Sequence, residues 1–464
     1  LAEALTLDKQ NEEISPQAMR RKIFRMVWPA TLESTLQMAV GMVAMAMIGH
    51  VGPEAVGAVG LSTRVTQIVW AIFAAIGTGA TVLIARAVGA GDKESARRTA
   101  EQALVLAVVL VCLLTVLVVW QARWLMVALF RAEAYMLDLS FSYLALVAYG
   151  MPFMAIMQVV GAIMRGAGNT RTPMVVALFV NIINISANYI LIFGRFGFPA
   201  MGMYGAAIAA IVAQSVGALL ALYVWHRGQA LTVRMWRLYR PHGELVQRIL
   251  KIGIPAAGEM IFWQVATIIL MRLIVTFGTA ELAAHQLGLT AESLSYMPAV
   301  GFGIAATAFV GQSLGAEKPR QAARYVAELV RLCLLLTVLT ASLLFFIPET
   351  IMRILTQDAE VVRLGAIYLS LMAIAQFPQQ MGGVLNGALR GAGDTKAPMY
   401  IGGFGLWLVR LPLAYILSVT FGLGITGVWV AMTVDLFVRF GLSSYYYYRG
   451  HWQPAALLRT GRVS

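Results

Sequence analysis

The sequence predicts an all-α polytopic membrane protein. Twelve transmembrane helices form two six-helix lobes, a parallel internal repeat about a pseudo-twofold axis along the membrane normal. Three observations predict this fold. The first is composition: of 464 residues, 59% are hydrophobic and only 12% charged, with a mean hydropathy of +0.76. Soluble domains carry about 25% charged residues. The second is the alternation of positive charge between successive loops. The third is a repeat: MRGAGNTRTPM at 164–174 returns as LRGAGDTKAPM at 389–399, with seven of eleven positions identical at a spacing of 225.

Apolar runs longer than the ~18 residues that mark a membrane helix recur along the chain. Twelve are expected, at 26–48, 59–85, 99–120, 139–164, 172–194, 203–225, 252–277, 282–314, 325–347, 364–389, 397–421 and 424–447. Several exceed the ~20 residues that suffice to cross a bilayer, so tilt or bending is expected. The domains follow: a cytoplasmic N-terminal segment at 1–25, a first lobe at 26–225, a basic linker at 226–251, a second lobe at 252–447 and a tail at 448–464. The polar start, LAEALTLDKQNEEISPQ, lacks a cleavable signal pattern. The first span is expected to double as the targeting signal.

Taken alternately from the N-terminus, one set of inter-helix segments holds 25 of the 35 Lys and Arg and the opposite set holds 5. The other 5 lie within spans: Arg64, Arg272, Arg331, Arg410 and Arg439. Such asymmetry is the positive-inside rule. It puts both termini in the cytoplasm and the chain in the plasma (inner) membrane, as a multi-pass protein in contact with lipid. It also accounts for the net charge of +13 without a nucleic-acid partner. Cys112 and Cys333 lie inside apolar spans, where thiols pack. No disulfide framework or metal-ligand spacing is present, and neither HExxH nor a nucleophile–His constellation suggests an enzyme. No cofactor is expected, and a monomer is.

The repeat extends beyond its opening motif. WPATLES at 28–34 aligns with IPAAGEM at 254–260, GAGDKESARR at 89–98 with GAEKPRQAAR at 315–324, and NYILIF at 188–193 with AYILSV at 414–419. An even number of spans per half leaves both halves entering from one side, hence parallel. The RGAG stretches then join spans four and five, and ten and eleven. Gly166 and Gly168 permit the left-handed backbone that ends a helix, and Pro173 suits the first turn of the next. Arg165 and Arg171 are expected at headgroup level. A phosphate loop is excluded, because no Gly-Lys dipeptide occurs and GLGITG at 422–427 joins two spans.

Ionisable groups inside spans are the functional candidates, since each costs ~2.5–3.5 kcal/mol at a helix centre on insertion scales. Glu33 and Glu259 each follow a proline (Pro29, Pro255) by four residues. Glu33 lies about 12 Å along the helix from Arg25. Carboxyls at such depth either fasten helices or carry a proton. Asn181, Asn184 and Asn188 share one face of span five. They need partners in the membrane, and Glu33 is an obvious one. Their oxygens also suit Na⁺ near Glu33 and Asn184, with polar helix–helix contact as the alternative. Arg410 stands where Asn184 does in the first half. Asp435 and Arg439 form an i, i+4 pair, and Arg272, Arg410 and Arg439 are expected to neutralise some carboxylates. In AAHQLGLTAESLSYMP, His285 lies near the outer end in contact with water, and Glu292 lies deeper. Met38, Met42, Met45, Phe262 and Trp263, with Gln37, Gln264, Gln286 and Tyr296, suggest a cavity for small organic cations. The same apolar residues also fill ordinary membrane cores.

On these residues the chain resembles the multidrug and toxic compound extrusion (MATE) family. The resemblance rests on PATLES…GHVGPEAVGAVGLS, on RGAGNTRTP and RGAGDTKAP, and on AAHQLGLTAESLSYMPAVGFGIAATAFVGQSLGA. It covers essentially the whole chain. It implies an antiporter that exports organic, often cationic, drugs in exchange for H⁺ or Na⁺ through a central cavity open alternately to each side. NISANY at 184–189 matches the family's fifth-span asparagine motif, which gives Asn184 and Asn188 a cation-site role. Val43-Ala44-Met45 departs from the family's Val-Asp-Thr. With the acid missing at Ala44, Glu33 is expected to replace it, with Glu259 as its counterpart and H⁺ favoured over Na⁺. The alternative is a related flippase for lipid-linked oligosaccharides, which the intramembrane arginines keep open.

Overall fold

A computed structural model describes residues 15–129, 134–227 and 242–450. Among these residues every regular element is helical. Eleven helices are long and apolar enough to cross a membrane, or twelve if a pair bent by 52° counts as one span. In chain order they are α1 (Pro16–Gly49), α2 (Pro53–Gly89), α3 (Lys93–Leu129), the bent pair α4 (Ala134–Ala148 and Met151–Gly166), α5 (Arg171–Phe193) and α6 (Gly202–Arg227). The second lobe holds α7 (Gly243–Val275), α8 (Thr279–Gly315), α9 (Pro319–Phe346), a short helix (Pro348–Leu355), α10 (Ala359–Gly391), α11 (Lys396–Thr420) and α12 (Gly424–Tyr448).

The helices overrun the apolar segments because a helix continues into the headgroup layer wherever caps allow. Ser15 accepts from Ala18 N at 3.3 Å, and Pro16 follows where its missing N–H costs nothing. The first helix therefore begins inside the polar 1–25 segment. Likewise α7 begins at Gly243, so the last residues of the expected 226–251 linker are helical. Residues 228–241 of that linker, and 451–464 of the tail, lie outside the described residues. The break in α4 falls at Gly150, just ahead of Pro152. In α11, Phe404–Arg410 and Ile416–Thr420 wind as π-helix, which turns Arg410 inward.

Each lobe has its own apolar core, and each lends its first helix to the other. Met19, Ile23, Met26 and Val27 of α1 pack with Phe302 and Phe309 of α8 and Leu329 of α9. In return Ile249 of α7 packs in the first lobe's core beside Ile76 and Ile163. The lobes meet most closely at the face that carries the RGAG turns. There a Cβ on Gly89 would strike the Gln312 carbonyl, and one on Gly315 would strike the Arg86 carbonyl. Only a residue without a side chain permits that approach. At this turn face the backbones of the two lobes are in contact.

Candidate functional site

Several duplicated residues of the RGAG turns make the same contact in both lobes. Gly168 and Gly393, at φ of 88° and 84°, end α4 and α10 in the left-handed conformation. Asn169 Oδ1 then accepts from Thr172 N at 3.1 Å and Asp394 Oδ1 from Ala397 N at 3.0 Å, capping the next helices. Thr170 Oγ1 donates to the Met26 carbonyl at 2.9 Å, and Thr395 Oγ1 to the Ile252 carbonyl at 2.8 Å, tying each turn to its lobe's first helix. Gly166 remains helical, against the expectation of a left-handed residue there.

Of the two arginines expected at headgroup level, Arg171 is exposed, whereas Arg165, like Arg390 of the second turn, pairs with the glutamate of its lobe's first helix. Arg165 folds inward and donates from Nη1 to Glu33 Oε1 at 3.0 Å. Arg390 Nη2 reaches both oxygens of Glu259, at 2.7 and 2.6 Å. A guanidinium next to a desolvated carboxylate lowers the cost of burying either. The clasp across the lobes is reciprocal too. Gln312 donates to the Gly166 carbonyl at 3.2 Å, and Arg86, its repeat partner 226 residues earlier, donates to the Ala392 carbonyl. Two copies of this turn are needed because each lobe's turn receives the other lobe's helix end.

Above the turns, between the lobes, lies a cavity of about 740 Å³. Its polar lining includes Glu33, Gln37, Arg165, Tyr296, Gln379 and Arg390. Met38, Trp70, Met260 and Val300 are among its apolar lining. The structure thus brings Glu33, Gln37, Met38 and Tyr296 to one cavity. Met42, Met45, Phe262, Trp263, Gln264 and Gln286 do not line it. Met42, Met45, Phe262 and Trp263 are exposed, and Phe262 meets Trp407 edge-on. Gln264 donates to Gln67 of the other lobe at 2.9 Å, and Gln286 to the Met271 sulfur at 3.7 Å. Sequence reasoning missed Trp70, Thr78 and Thr81. Their spacing, 70, 74, 77, 78 and 81, traces one face of α2, and the interleaved small residues hid it.

The expected contact between Glu33 and the asparagines is replaced by the Arg165 pair. Asn188 Nδ2 donates to Asn184 Oδ1 at 2.9 Å. Asn181 Nδ2 and Asn188 Oδ1 are buried without a partner. Glu33 faces α5 near Val176 and Ala177, about 11 Å along the helix from Asn184 at 1.5 Å per residue.

The second lobe's interior is richer in charge. Asp435, fully buried, accepts through Oδ2 from Arg410 Nε at 2.9 Å and from the Nη2 of Arg439 at 2.8 Å. The expected i, i+4 pair is therefore a triad, with two cations on one anion. Arg272 takes no part and lies exposed in the last turn of α7, where a cation suits the carbonyl end. His285 is not at a wet outer end. It is buried, accepts at Nδ1 from Trp429 Nε1 at 3.2 Å and packs edge-on against Tyr368. Its neighbour Glu292 accepts from Tyr368 Oη at 2.5 Å and from Gln376 Nε2 at 3.3 Å. Among the described residues no cluster of His, Cys, Asp and Glu is arranged to hold a metal ion.

The MatE family model matches residues 29–190 and again 255–416, one match per lobe. The sequence is 33% identical over 446 residues to a probable multidrug resistance protein NorM of Thermotoga maritima, covering 96% of each chain. It is 26% identical over 420 residues to an uncharacterised transporter, YisQ, of Bacillus subtilis, covering 90% of this chain and 91% of that one. A crystal structure of MATE in the bent conformation superposes with a TM-score of 0.87 at 21% identity, covering 95% of this chain and 97% of that chain. A mutant of the Vibrio cholerae MATE transporter VcmN gives 0.87 at 21%, covering 97% and 99%. These two likenesses speak for the fold.

Proposed function

This chain belongs to the MatE family of membrane transporters, and from that premise we propose that it exports organic, often cationic, drugs in exchange for a cation, H⁺ rather than Na⁺. One observation carries the proposal: an inter-lobe cavity with thioether and aromatic walls is lined by a carboxylate already paired with an arginine. The name of the Thermotoga relative, a probable multidrug resistance protein, supports the substrate class. Coupling follows from competition. A proton on Glu33 or Glu259 removes the charge that holds Arg165 or Arg390, and a cationic drug competes for the same carboxylate. Proton and drug therefore exclude each other as the clasp opens and closes. With the turn face in the cytoplasm of an inner-membrane protein, the state described here is shut on the loading side.

Na⁺ would be served by amide oxygens beside a carboxylate, and Glu33 makes its contact with Arg165 instead. A flippase for lipid-linked sugars would need unpaired arginines along the cavity. Arg165 and Arg390 are paired, and Arg410 and Arg439 are engaged with Asp435. The test is flux of one cationic dye from proteoliposomes under an imposed ΔpH, then under an imposed sodium gradient. Transport is expected with the first. Transport with the second alone, or headgroup flipping without dye flux, contradicts the proposal.

A further inference from the structure

We propose that Glu292 is a proton-carrying site inside the second lobe, connected to the inter-lobe cavity by a chain of glutamine side chains. The inference rests on the coupled-export reading above and adds to Glu33 and Glu259 a third acid on which a transported proton resides. It begins with the other buried acids of the membrane core. Glu33 is bonded to Arg165, Glu259 to Arg390, and Asp435 to both Arg410 and Arg439. A guanidinium favours the ionised form of its carboxyl, so a proton on Glu33 or Glu259 has to open an ion pair. Glu292 is also buried, yet among the described residues its bonded partners, Tyr368 and Gln376, are neutral.

Neutral partners of this kind suit both protonation states. The Tyr368 hydroxyl can donate to a carboxylate or accept from a carboxylic acid, and the Gln376 amide can donate to the other oxygen in either state. A buried polar group is costly only when it goes unsatisfied, so neither form of Glu292 is penalised by a missing bond. When the proton leaves, the carboxyl O–H bond breaks, the proton passes to water and a carboxylate remains. The amides do not take up the proton themselves; it travels on water along the polar path that the glutamine side chains line. Gln376 Oε1 accepts from Gln380 Nε2 at 2.7 Å and from Ser295 Oγ at 3.1 Å, and Gln376 Nε2 reaches Gln379 Oε1 at 3.4 Å. Gln379, Gln380 and Tyr296 line the cavity.

The groups around the site define what the proton does. Tyr368 and Arg410 face Glu292 from α10 and α11, the arginine acting through space. Its own helix contributes Tyr296, and His285 lies behind Tyr368. From α12 come Trp429, against Tyr368, and the Asp435–Arg439 pair. From α1 the contact is Met38 with Ser293, and from α9 Cys333 and Thr337 reach Gln380. With Glu292 ionised, its charge and that of Asp435 balance Arg410 and Arg439, so the lobe interior is neutral. With Glu292 protonated the interior is left with one net positive charge, which repels a cationic drug from the adjoining cavity. At the 226-residue offset the first lobe has Thr66 in place of Glu292, so the site exists in one lobe only.

The experiment compares wild type with Glu292→Gln and Tyr368→Phe, using tetraphenylphosphonium as the cation. In weakly buffered detergent solution, wild type is expected to release protons when the cation binds. Glu292→Gln, which fixes the charge of the protonated form, should bind it more weakly and without release, and its ΔpH-driven efflux should fall to that of protein-free liposomes. A protonated-carboxyl infrared band should titrate in wild type, be absent from Glu292→Gln and have a displaced midpoint in Tyr368→Phe. Unchanged proton release in Glu292→Gln overturns the assignment while leaving coupled export intact. If wild type itself moves no cation under ΔpH, coupled export falls, and the infrared band still decides whether Glu292 titrates. Should Glu292→Gln fail to fold, an unmoved midpoint in Tyr368→Phe overturns the proposal.

Discussion

The two lobes share their turns and differ in their interiors. Glu33–Arg165 and Glu259–Arg390, and Thr170 and Thr395, are pairs of equivalent contacts, and Gln312 and Arg86 each donate to a carbonyl of the other lobe's turn, one position apart in the repeat. Deeper in the membrane the correspondence ends. Where the second lobe has Glu292 and Arg410, the first has Thr66 and Asn184. Aligned on Gly205 and Gly427, each packed against its lobe's fifth helix, Asp435 and Arg439 correspond to Ala213 and Gly217. The difference teaches a division of labour. Contacts that join the lobes must fit both and are duplicated, whereas charge inside one lobe is free to specialise.

The largest effect that can break this comparison comes from the triad. Asp435→Asn strands two buried guanidiniums and is expected to cost about 3–5 kcal/mol, seen as a lowered unfolding temperature in detergent. Asn184→Ala, at the position equivalent to Arg410, removes one amide hydrogen bond and should cost about 1 kcal/mol. Equal losses would mean that the second lobe's charges are not specialised. Next come the turn arginines. The first pair is the more enclosed, its side chains 17% and 10% exposed against 32% and 23% for the second. Arg165→Ala should therefore destabilise by about 3 kcal/mol and Arg390→Ala by about 1 kcal/mol after solvent screening. The reverse order contradicts the exposures.

Gly315→Ala forces the clasped faces apart at a cost of about 1–3 kcal/mol, and Gln312→Ala removes one bond worth about 1 kcal/mol. Both should raise thiol labelling of a Ser313→Cys reporter, buried at the turn face, in a protein without Cys112. Unchanged labelling would show that the clasp does not hold this face shut. The smallest effect sharpens the symmetry. Thr170→Ala and Thr395→Ala should each cost about 1 kcal/mol or less, and equally, in chemical unfolding.

Much of the fold was legible because hydropathy and charge report the solvent that each segment meets. The twelve spans and the two lobes follow from apolar length and the repeat. The bend at Gly150 and the π-turns of α11 were not legible, since they alter hydrogen bonding without altering hydropathy. At the site, Glu33 and Glu259 stood out as acids in apolar runs, but their partners did not. Arg165 ends an apolar run and reads as a headgroup anchor, and only the tertiary fold shows it turned inward. Asn184 lies in the same lobe as Glu33 but about 11 Å too far along α5, a register that sequence alone leaves open. His285 reads as wet because of its position near a helix end, and the packing of Trp429 and Tyr368 makes it dry.

The most direct test of the central claim, that two acids twinned by the repeat couple ion movement to drug export, is ΔpH-driven efflux of a cationic dye by Glu33→Gln and Glu259→Gln. Proteoliposomes should hold equal amounts of folded protein. Loss of ΔpH-driven efflux in Glu259→Gln, with folding retained, is the predicted result. Full transport by both single variants contradicts it.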